Sequence, residues 1–401
     1  MKAMNERRRD AGRLSPGARL ASESRNTQHA TRSPIRVLTA VPICDGHDSA
    51  INTVNLEFIR HGIEVVYLGY HRSARDIVRA AIQEDVRAIG ISSYNGGHVE
   101  FFTEVIDLLN QNGADDIGVF GGGGGTITAE DARLMEKSGV DRIFFAGTPL
   151  TEMVGYVKQA YGRPRRNRRP QHRHREPGAD LELARRLTAA ESARIPSSRN
   201  TQHATRVIGV TGPGGAGKTT LIDELALRFL EANPRARLAI LSHDPSLASQ
   251  GALLGDRATM IYSQNDRVFM RSLGSRGQAG GLSPATGPCL QLLRRSGFDL
   301  VLVETVGIGQ EALPFGRKAV DKTVLVMSPD YGSRLQLQKI VMLDLADIIV
   351  VNKSDLAAAK TAAAEIEQRL ALNSGEQKLV CTVARRHRDP GVDALFQLIQ
   401  P

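Results

Sequence analysis

One short stretch of the sequence carries residue types in the order that phosphate chemistry requires. Residues 212–219 read GPGGAGKT and match the pattern GxxxxGK[ST], which ends in Lys218 and Thr219. Glycines let backbone N–H groups turn toward phosphate oxygens at a helix N-terminus, whose dipole favours anions. Lys218 then reaches the β- and γ-phosphates as a catalytic candidate, and Thr219 reaches Mg²⁺. The pattern predicts further nucleotide contacts at Gly214, Gly215, Ala216, Gly217 and Thr220.

Two later motifs predict which nucleotide is bound and how it is hydrolysed. VLVET is an apolar run that ends with Glu304, the position of a carboxylate that holds Mg²⁺ or its water, so Glu304 is a second catalytic candidate. NKSD follows another apolar run, and its Asp355 can accept both guanine N–H donors while Asn352 and Lys353 position the loop. A buried carboxylate left unpaired by adenine favours GTP. The motifs together predict a GTPase.

A different set of polar residues lies near the beginning of the chain. Asp45 and His47 follow a strand-like run, and the turns SSYNGGH (92–98) and GGGGG (121–125) follow two later runs. A lone histidine after a strand is usually ordinary loop chemistry, but Asp45 can hold the imidazole N–H and raise the basicity of a metal ligand. Glycine-rich turns at the carboxyl ends of parallel strands leave space for a long, flat ligand. A metal role for His47 is therefore a hypothesis worth testing.

Alternating strand-like and helix-like segments must position these residues. The pattern predicts α/β folds of the doubly wound, parallel type, once before and once after an arginine-rich stretch. The first is expected to be flavodoxin-like and the second a P-loop domain. We predict a disordered basic tail, a first domain, an Arg-rich linker and a GTPase domain, which span residues 1–34, 35–161, 162–206 and 207–401.

The composition of the 401-residue chain excludes several classes of protein. Hydrophobic residues make up 41% of it, with no apolar run long enough for a membrane helix, and three scattered cysteines indicate no disulfide framework. The net charge of +9 is concentrated in residues 162–178, which hold seven arginines and no interleaved aromatic residue. We therefore expect a cytoplasmic protein with no membrane partner, and we consider a nucleic-acid partner unlikely.

The first domain resembles the cobalamin-binding domain of acyl-CoA mutases through its DGH motif and its two glycine-rich turns. The resemblance implies that adenosylcobalamin is bound and that His47 replaces the cofactor's own base on cobalt, with Asp45 supporting the imidazole. It also implies that Ser92, Gly121 and Gly122 line the groove that receives the nucleotide tail of the cofactor.

The second domain is similar to the GTPase chaperones of these mutases through GPGGAGKTT, HDPS, LLGDR, ETVGIGQE and NKSD. The resemblance implies a Mg²⁺ site made by Thr219, Asp244, Asp256, Glu304 and Thr305. Thr259 stands where the family pattern LLGDRxR places an arginine. The two domains in this order resemble the N-terminal part of the fused isobutyryl-CoA mutase family.

The resemblance implies a GTPase that couples GTP binding and hydrolysis to loading or protecting adenosylcobalamin on an acyl-CoA mutase. The expected partner is the substrate-binding barrel of that mutase, as a domain or a subunit, and isomerase activity is expected only with it. We also expect a homo-oligomer. The alternative is a cobalamin carrier or sensor whose GTPase domain only switches conformation, and nucleic-acid binding through the arginines ranks last.

Overall fold

A computed structural model describes most of the chain outside its basic segments. The described residues are 34–43, 45–47, 49–163, 178–192, 205–247, 250–278, 280–307, 314–315, 319–331, 341–372 and 376–400. All but the last residue of the predicted basic tail, and most of the arginine-rich stretch, lie outside these ranges. We call residues 34–163 the first domain and residues 205–400 the second domain.

The first domain is a doubly wound parallel α/β fold, as predicted from its alternating pattern. Its sheet has the order β5-β4-β3-β1-β2, and all of its described pairings are parallel. Most residues of its strands are buried, which is typical of a sheet covered by helices on both faces. The elements are β1 (Arg36–Ala40), α1 (Ser49–Arg60), β2 (Glu64–Tyr67), α2 (Ala74–Gln83), β3 (Ala88–Ser92), α3 (His98–Gln111), β4 (Gly118–Gly122), α4 (Ala129–Ser138), β5 (Arg142–Phe144) and α5 (Leu150–Tyr161).

The second domain is a parallel sheet of seven strands in the order β13-β12-β11-β6-β10-β7-β9. The strand-like runs RVIGVTG, RLAILS, FDLVLVET, DKTVLVMS, ADIIVVNK and QKLVCTV predict six of these strands. The pattern does not predict β9, whose apolar run is interrupted by Arg271. Helix α6 precedes this domain, and short 3-10 turns lie at Tyr262–Gln264, Pro329–Tyr331 and Val341–Asp344. The elements are α6 (Ala179–Ser192), β6 (Arg206–Thr211), α7 (Lys218–Ala232), β7 (Leu238–Asp244), β8 (Leu253–Leu254), α8 (Asp256–Thr259), β9 (Val268–Gly274), α9 (Thr286–Arg294), β10 (Leu300–Glu304), β11 (Lys322–Met327), β12 (Ile348–Val351), α10 (Ala359–Leu370), β13 (Lys378–Cys381) and α11 (Pro390–Ile399).

Helix α6 corrects the expectation that residues 162–206 form only an Arg-rich linker. Its apolar residues are spaced to form one buried stripe, and they join two cores at once. Leu181 packs in the core of the first domain, whereas Leu183 and Leu187 pack in the core beneath β7, β9 and α9 of the second. The helix is therefore a structural element between the domains, because both domains need it to cover apolar surface.

Buried ion pairs also join the two domains through α6. Glu191, at the C-terminal end of α6, accepts hydrogen bonds from Arg36 of the first domain (Nη2 to Oε2, 3.0 Å) and from Arg271 of β9. Arg36 also binds Glu64 at 2.9 Å, and Arg276 of the second domain reaches Glu64 at 2.8 Å. Burial alone would raise the pKa of Glu191, but the charges of Arg36 and Arg271 lower it below its ordinary value. Each buried charge is thus neutralised by a partner across the interface.

The second domain contributes a strand to the sheet of the first. The two residues of β8, Leu253 and Leu254, pair in parallel with Val65 and Val66 of β2, which would otherwise be the edge strand. The first sheet thereby gains a sixth strand, and its order becomes β5-β4-β3-β1-β2-β8.

Within the described residues, no helix combines the length and the apolar content that crossing a bilayer demands.

We predict that Leu187→Ala lowers the free energy of unfolding by about 2–5 kcal/mol, because it leaves a cavity in the core that α6 shares with the second domain. Urea unfolding followed by circular dichroism measures the change. Arg186→Ala is the matched control, since Arg186 is exposed on the same helix and its loss should change stability by less than about 0.5 kcal/mol. Equal effects of the two substitutions would contradict the structural role of α6.

Candidate functional sites

The phosphate-binding loop lies between β6 and α7, in the strand–loop–helix context that its motif requires. Gly215 and Gly217 have positive φ angles of 74° and 88°, conformations that glycine adopts at little steric cost. A Cβ atom on Gly212 would lie 2.0 Å from the carbonyl oxygen of Val326, so β11 leaves no room for a side chain there. Gly214 and Gly215 are exposed, Ala216 is buried, and Thr220 follows in the first turn of α7.

Lys218 and Thr219 begin α7, and Thr219 contacts the acidic end of strand β10. The Nζ atom of Lys218 donates to the carbonyl oxygens of Gly212 and Pro213 at 3.1 and 3.2 Å, so the side chain lies over the loop. Burial lowers the pKa of Lys218, and the charges of nearby carboxylates oppose that shift. Thr219 donates its hydroxyl to Oε1 of Glu304 at 2.7 Å. Thr219 and Glu304, which the sequence motifs both placed at the Mg²⁺ site, are therefore in direct contact.

Three carboxylates lie at the carboxyl ends of β7 and β10 and at the start of α8. They are Asp244, Glu304 and Asp256, and Asp256 accepts a hydrogen bond from Ser242. Asp244 Oδ2 and Glu304 Oε2 are buried and have no hydrogen-bond partner in the described part of the chain. Thr305, which follows Glu304, is buried with its hydroxyl 3.0 Å from that of Thr211.

Burial and mutual repulsion make this acidic cluster electrostatically unfavourable without a cation. Burial, followed by the charge of Asp256, raises the pKa of Glu304 to about 8 and holds the pKa of Asp244 well above its ordinary value. Burial also raises the pKa of Asp256, against the opposing hydrogen bond from Ser242. A nearby cation favours the ionised forms and reverses these shifts. The orphaned oxygens and the raised pKa values thus suit a positively charged ligand.

The donor set fits a cation that keeps part of its water shell. No group of three His, Cys, Asp or Glu side chains that could hold a metal ion occurs among the residues that the structure describes. Mg²⁺ does not need such a cage, because it commonly takes one or two carboxylates, phosphate oxygens and several waters. Gly307 approaches the loop so closely that a Cβ atom on it would lie 2.5 Å from the Cα atom of Gly214. The segment after Glu304 therefore lies beside the phosphate-binding loop.

The predicted base-recognition residues lie after β12 and are tied to the phosphate-binding loop. Asn352 donates to the carbonyl oxygen of Ala216 at 2.8 Å, and its own oxygen accepts from Thr382 and from the backbone of Ala384 at 3.0 Å. Lys353 has a positive φ of 56°, which turns the chain sharply before Asp355. This network fixes the distance between the base loop and the phosphate loop.

Asp355 has a protein partner that sequence analysis missed. Arg385 donates to its carboxylate, and this hydrogen bond lowers the pKa of Asp355 below its ordinary value. The side chain of Arg385 is 76% exposed, so it can leave without exposing a buried charge. A guanine base would therefore have to compete with a solvent-accessible guanidinium for the same carboxylate.

His47 and Asp45 of the first domain are in contact at the carboxyl end of β1, as the sequence predicted. His47 Nδ1 lies 2.8 Å from Asp45 Oδ1, and the backbone N–H groups of His47 and Tyr94 also donate to Asp45. Burial alone would raise the pKa of Asp45, but these hydrogen bonds lower it below its ordinary value. The His47 side chain is 66% exposed while Asp45 is buried. The other ring nitrogen, Nε2, is thereby left for a ligand.

A cavity of about 620 Å³ opens beside His47 and is lined mainly by apolar side chains and glycines. Ser92, Gly121 and Gly122, which sequence analysis assigned to the cobalamin groove, all line it. A Cβ atom on Gly121 would lie 2.6 Å from the carbonyl oxygen of Ile91, and one on Gly122 would lie 2.6 Å from that of Phe144. The glycines thus allow close strand packing and leave the cavity open, and its volume is within the range of small-molecule sites.

Two further buried residues support the nucleotide site, and sequence motifs alone gave them no role. His243 directs Nδ1 to the carbonyl oxygen of Glu304 at 2.7 Å and Nε2 to the hydroxyl of Thr286 at 2.8 Å. Burial lowers its pKa to about 4, so the ring is neutral near pH 7 and holds the end of β10 in place. Arg257, next to Asp256, is completely buried and pairs with Glu84 of the first domain. Arg257 is the last residue of the LLGDR motif, and this position was the one feature of the sequence that could have indicated a role for it.

Comparison with known proteins agrees with this division of the chain. Residues 183–400, more than half of the chain, match the family model described as methylmalonyl Co-A mutase-associated GTPase MeaB. This chain belongs to the MeaB GTPase family. Residues 35–154 match the model of the B12 binding domain, so the MeaB-family region is preceded by a domain of the cobalamin-binding type.

Curated relatives of this MeaB-family chain contain both regions within longer proteins. The fused isobutyryl-CoA mutase of Geobacillus kaustophilus is 36% identical over 389 residues, which cover 90% of this chain and 36% of that protein. The fused isobutyryl-CoA mutase of Cupriavidus metallidurans is 38% identical over 384 residues, which cover 90% of this chain and 35% of that protein. The chain therefore spans little more than a third of the length of these relatives.

We predict that the ionisation of Glu304 makes the metal-free and nucleotide-free MeaB-family protein progressively less stable as the pH rises from about 4.5 to about 8. Over this window Glu304 stays protonated in the folded state but ionises when unfolded, because its pKa is raised from 4.5 to about 8. Glu304→Gln removes the ionisation, so stability should decline less. Thermal unfolding in EDTA at several pH values measures the difference, with Glu100→Gln, at an exposed position of α3, as the control. Parallel curves for wild type and Glu304→Gln would contradict the shift.

Proposed function

We propose that this chain is a cobalamin-binding GTPase that couples GTP binding and hydrolysis to loading or protecting the adenosylcobalamin of an acyl-CoA mutase. The observation that carries the GTPase assignment is the contact of Thr219 with Glu304, whose second carboxylate oxygen is buried without a partner beside the phosphate-binding loop. The longer relatives named as fused isobutyryl-CoA mutases support the choice of partner. An isobutyryl-CoA or methylmalonyl-CoA mutase barrel is the proposed partner, as a domain or a subunit.

In this proposal the second domain acts on GTP mainly by positioning and by charge neutralisation. Backbone N–H groups of Gly214–Gly217 and of Thr220 hold the phosphates, and Lys218 turns from the loop carbonyls toward the β- and γ-phosphates. Mg²⁺ would be held by Thr219, Glu304, Asp244, Asp256 and Thr305, and it would offset negative charge on the phosphates. Asp355 would exchange Arg385 for the guanine N–H donors, with Asn352 and Lys353 fixing the loop.

The first domain supplies the cobalamin site in this proposal. His47 would ligate cobalt through Nε2, since Asp45 holds Nδ1, and Ser92, Gly121 and Gly122 would line the groove for the nucleotide tail. Cobalamin, when bound, supplies the cobalt–carbon bond that the mutase reaction uses. The residues of this chain orient the cofactor and keep its tail out of water, because the cavity lining is mainly apolar.

One observation favours the alternative of a carrier or sensor that binds GTP without efficient turnover. Thr259, at the position of the family arginine, donates its hydroxyl to the carbonyl oxygen of Asp256 at 2.9 Å and brings no positive charge. An arginine that stabilises the transition-state charge is worth several orders of magnitude in phosphoryl transfer. The chain alone would then hydrolyse GTP slowly, and a partner would supply or order the missing charge.

We predict slow GTP hydrolysis by the purified chain and a loss of about ten-fold or more in kcat/KM in Lys218→Ala, because a charged hydrogen bond to phosphate is removed. Phosphate release at saturating Mg²⁺ is the measurement. Lys360→Ala is the control, since it removes the same charge from an exposed position of α10. Binding of GTP with no turnover, even with the mutase barrel added, would favour the carrier or sensor instead.

We predict that His47 provides the axial nitrogen of bound cobalamin. Protein labelled with ¹⁵N-histidine and loaded with cob(II)alamin should give a two-line ¹⁵N splitting in its electron paramagnetic resonance spectrum. His47→Ala should lose that splitting, whereas the control His61→Ala, an exposed residue beyond α1, should keep it. A three-line ¹⁴N splitting in the labelled wild type would mean that the cofactor keeps its own base, which would refute the assignment.

A further inference from the structure

We infer that Glu84 of the first domain is a positioning residue for the Mg²⁺-binding segment of the second domain. The inference rests on the proposed function, because it concerns how Asp256 is held at the proposed metal site. It assigns to the cobalamin-binding domain a direct part in building the nucleotide site of its neighbour.

The segment that leads to Asp256 is attached along its length to the first domain. Gly251 donates its N–H to the carbonyl oxygen of Ile59 at 3.0 Å, and Ala252 accepts from the N–H of Val65 at 2.8 Å. Strand β8 then pairs with β2. A Cβ atom on Gly251 would lie 2.0 Å from the carbonyl oxygen of Ile63, so the two segments are in close backbone contact. The segment between Asp244 and Asp256 therefore takes its path from the first sheet.

Asp256 and Arg257 are consecutive residues that bind on opposite sides of the interface. The side chain of Asp256 accepts from Ser242 on β7, in the nucleotide site. Arg257 is completely buried, and its guanidinium donates to Glu84 (Nε to Oε1, 3.2 Å) and to the side-chain oxygen of Gln83 at 3.2 Å. A shift of the Arg257 backbone would move the peptide bond that Arg257 shares with Asp256.

The carboxylate of Glu84 is bound by donors of the second domain. Besides Arg257, the backbone N–H and the hydroxyl of Ser272 on β9 donate to it, both at 3.0 Å. Glu84 lies at the C-terminal end of α2, and its side chain is completely buried. Arg72 of the first domain adds one more contact, since its Nη2 donates to the carbonyl oxygen of Ala258 at 2.7 Å. The start of α8 is thus held from the first domain on both sides of Arg257.

Removing the charge of Glu84 leaves Arg257 as a buried cation without its counter-charge, which favours a displaced arginine. The nucleotide loop and the base loop make none of these contacts. The expected consequence is weaker metal binding with nucleotide affinity little changed. If Glu84 only held the domains together, its substitution would instead lower the stability of the protein without weakening metal binding specifically.

The test is Mn²⁺ binding to the GDP-loaded full chain, with free Mn²⁺ counted by electron paramagnetic resonance. Glu84→Gln and Arg257→Gln should each raise the Mn²⁺ dissociation constant about five-fold or more, the lower end of coupling between sites. In the double variant, the dissociation constant for Mn²⁺ should rise by less than the product of the two single increases, because both substitutions remove the same ion pair. The GTP KM at saturating Mg²⁺ should stay within about two-fold of wild type.

The matched control is Glu191→Gln, which removes another buried carboxylate from the same interface but has no contact with residues 250–259 in the described structure. It should lower the melting temperature and leave Mn²⁺ affinity unchanged. Equal weakening by Glu84→Gln and Glu191→Gln, or none by Glu84→Gln, overturns the inference. If Glu84→Gln does not fold, Arg72→Gln applies the same test from a partly buried position. Arg72→Gln should weaken Mn²⁺ binding, and unchanged binding would contradict the inference. Failure of the wild type to bind Mn²⁺ with GDP would instead contradict the proposed function.

Discussion

The need to neutralise buried arginines determines how the two domains of this chain fit together. Arg257 and Arg271 are the largest side chains that are fully buried in the described structure. A buried guanidinium is strongly unfavourable unless an anion and several acceptors surround it. Arg257 forms an ion pair with Glu84 of the first domain, and Arg271 forms one with Glu191 of α6. Both pairs are buried, and they link the second domain to the first domain and to α6.

That placement has a direct consequence for the nucleotide site. The segment that carries Asp256 crosses to the first sheet before it returns, so the acidic end of the site depends on a neighbouring domain. The glycine loop and the base loop, by contrast, are joined within the second domain by Asn352. Of the residues proposed to bind Mg²⁺, Asp256 is therefore the one whose segment depends on the first domain. This arrangement offers a physical route by which one domain can influence the chemistry of the other.

The two candidate sites follow the same rule of parallel sheets, in which ligands bind beyond the carboxyl ends of the strands. His47 follows β1, and Glu304 ends β10. In the first domain the rule gives an apolar cavity with one exposed imidazole, which suits a large ligand with a metal at one end. In the second it gives buried carboxylates beside backbone N–H groups, which suits a phosphate and a cation together. The difference comes from the side chains at the strand ends.

Sequence alone determined the features that depend on local order. The glycine loop before Lys218, the adjacency of Asp45 and His47, and the alternation of buried strands with helices are all set by residues close in the chain, so their spacing carries the information. Tertiary structure decided what depends on distant partners. Arg257 and Glu84 are separated by 173 positions, and no spacing rule could join them. Helix α6 was predicted as linker because its few apolar residues, which alternate with charged ones, find their partners only in the cores of two domains. Strand β9 was missed because Arg271 interrupts its apolar run, and Glu191, the partner of Arg271, lies 80 positions away. A buried charge is stable only beside its partner, and the fold alone brings the two together.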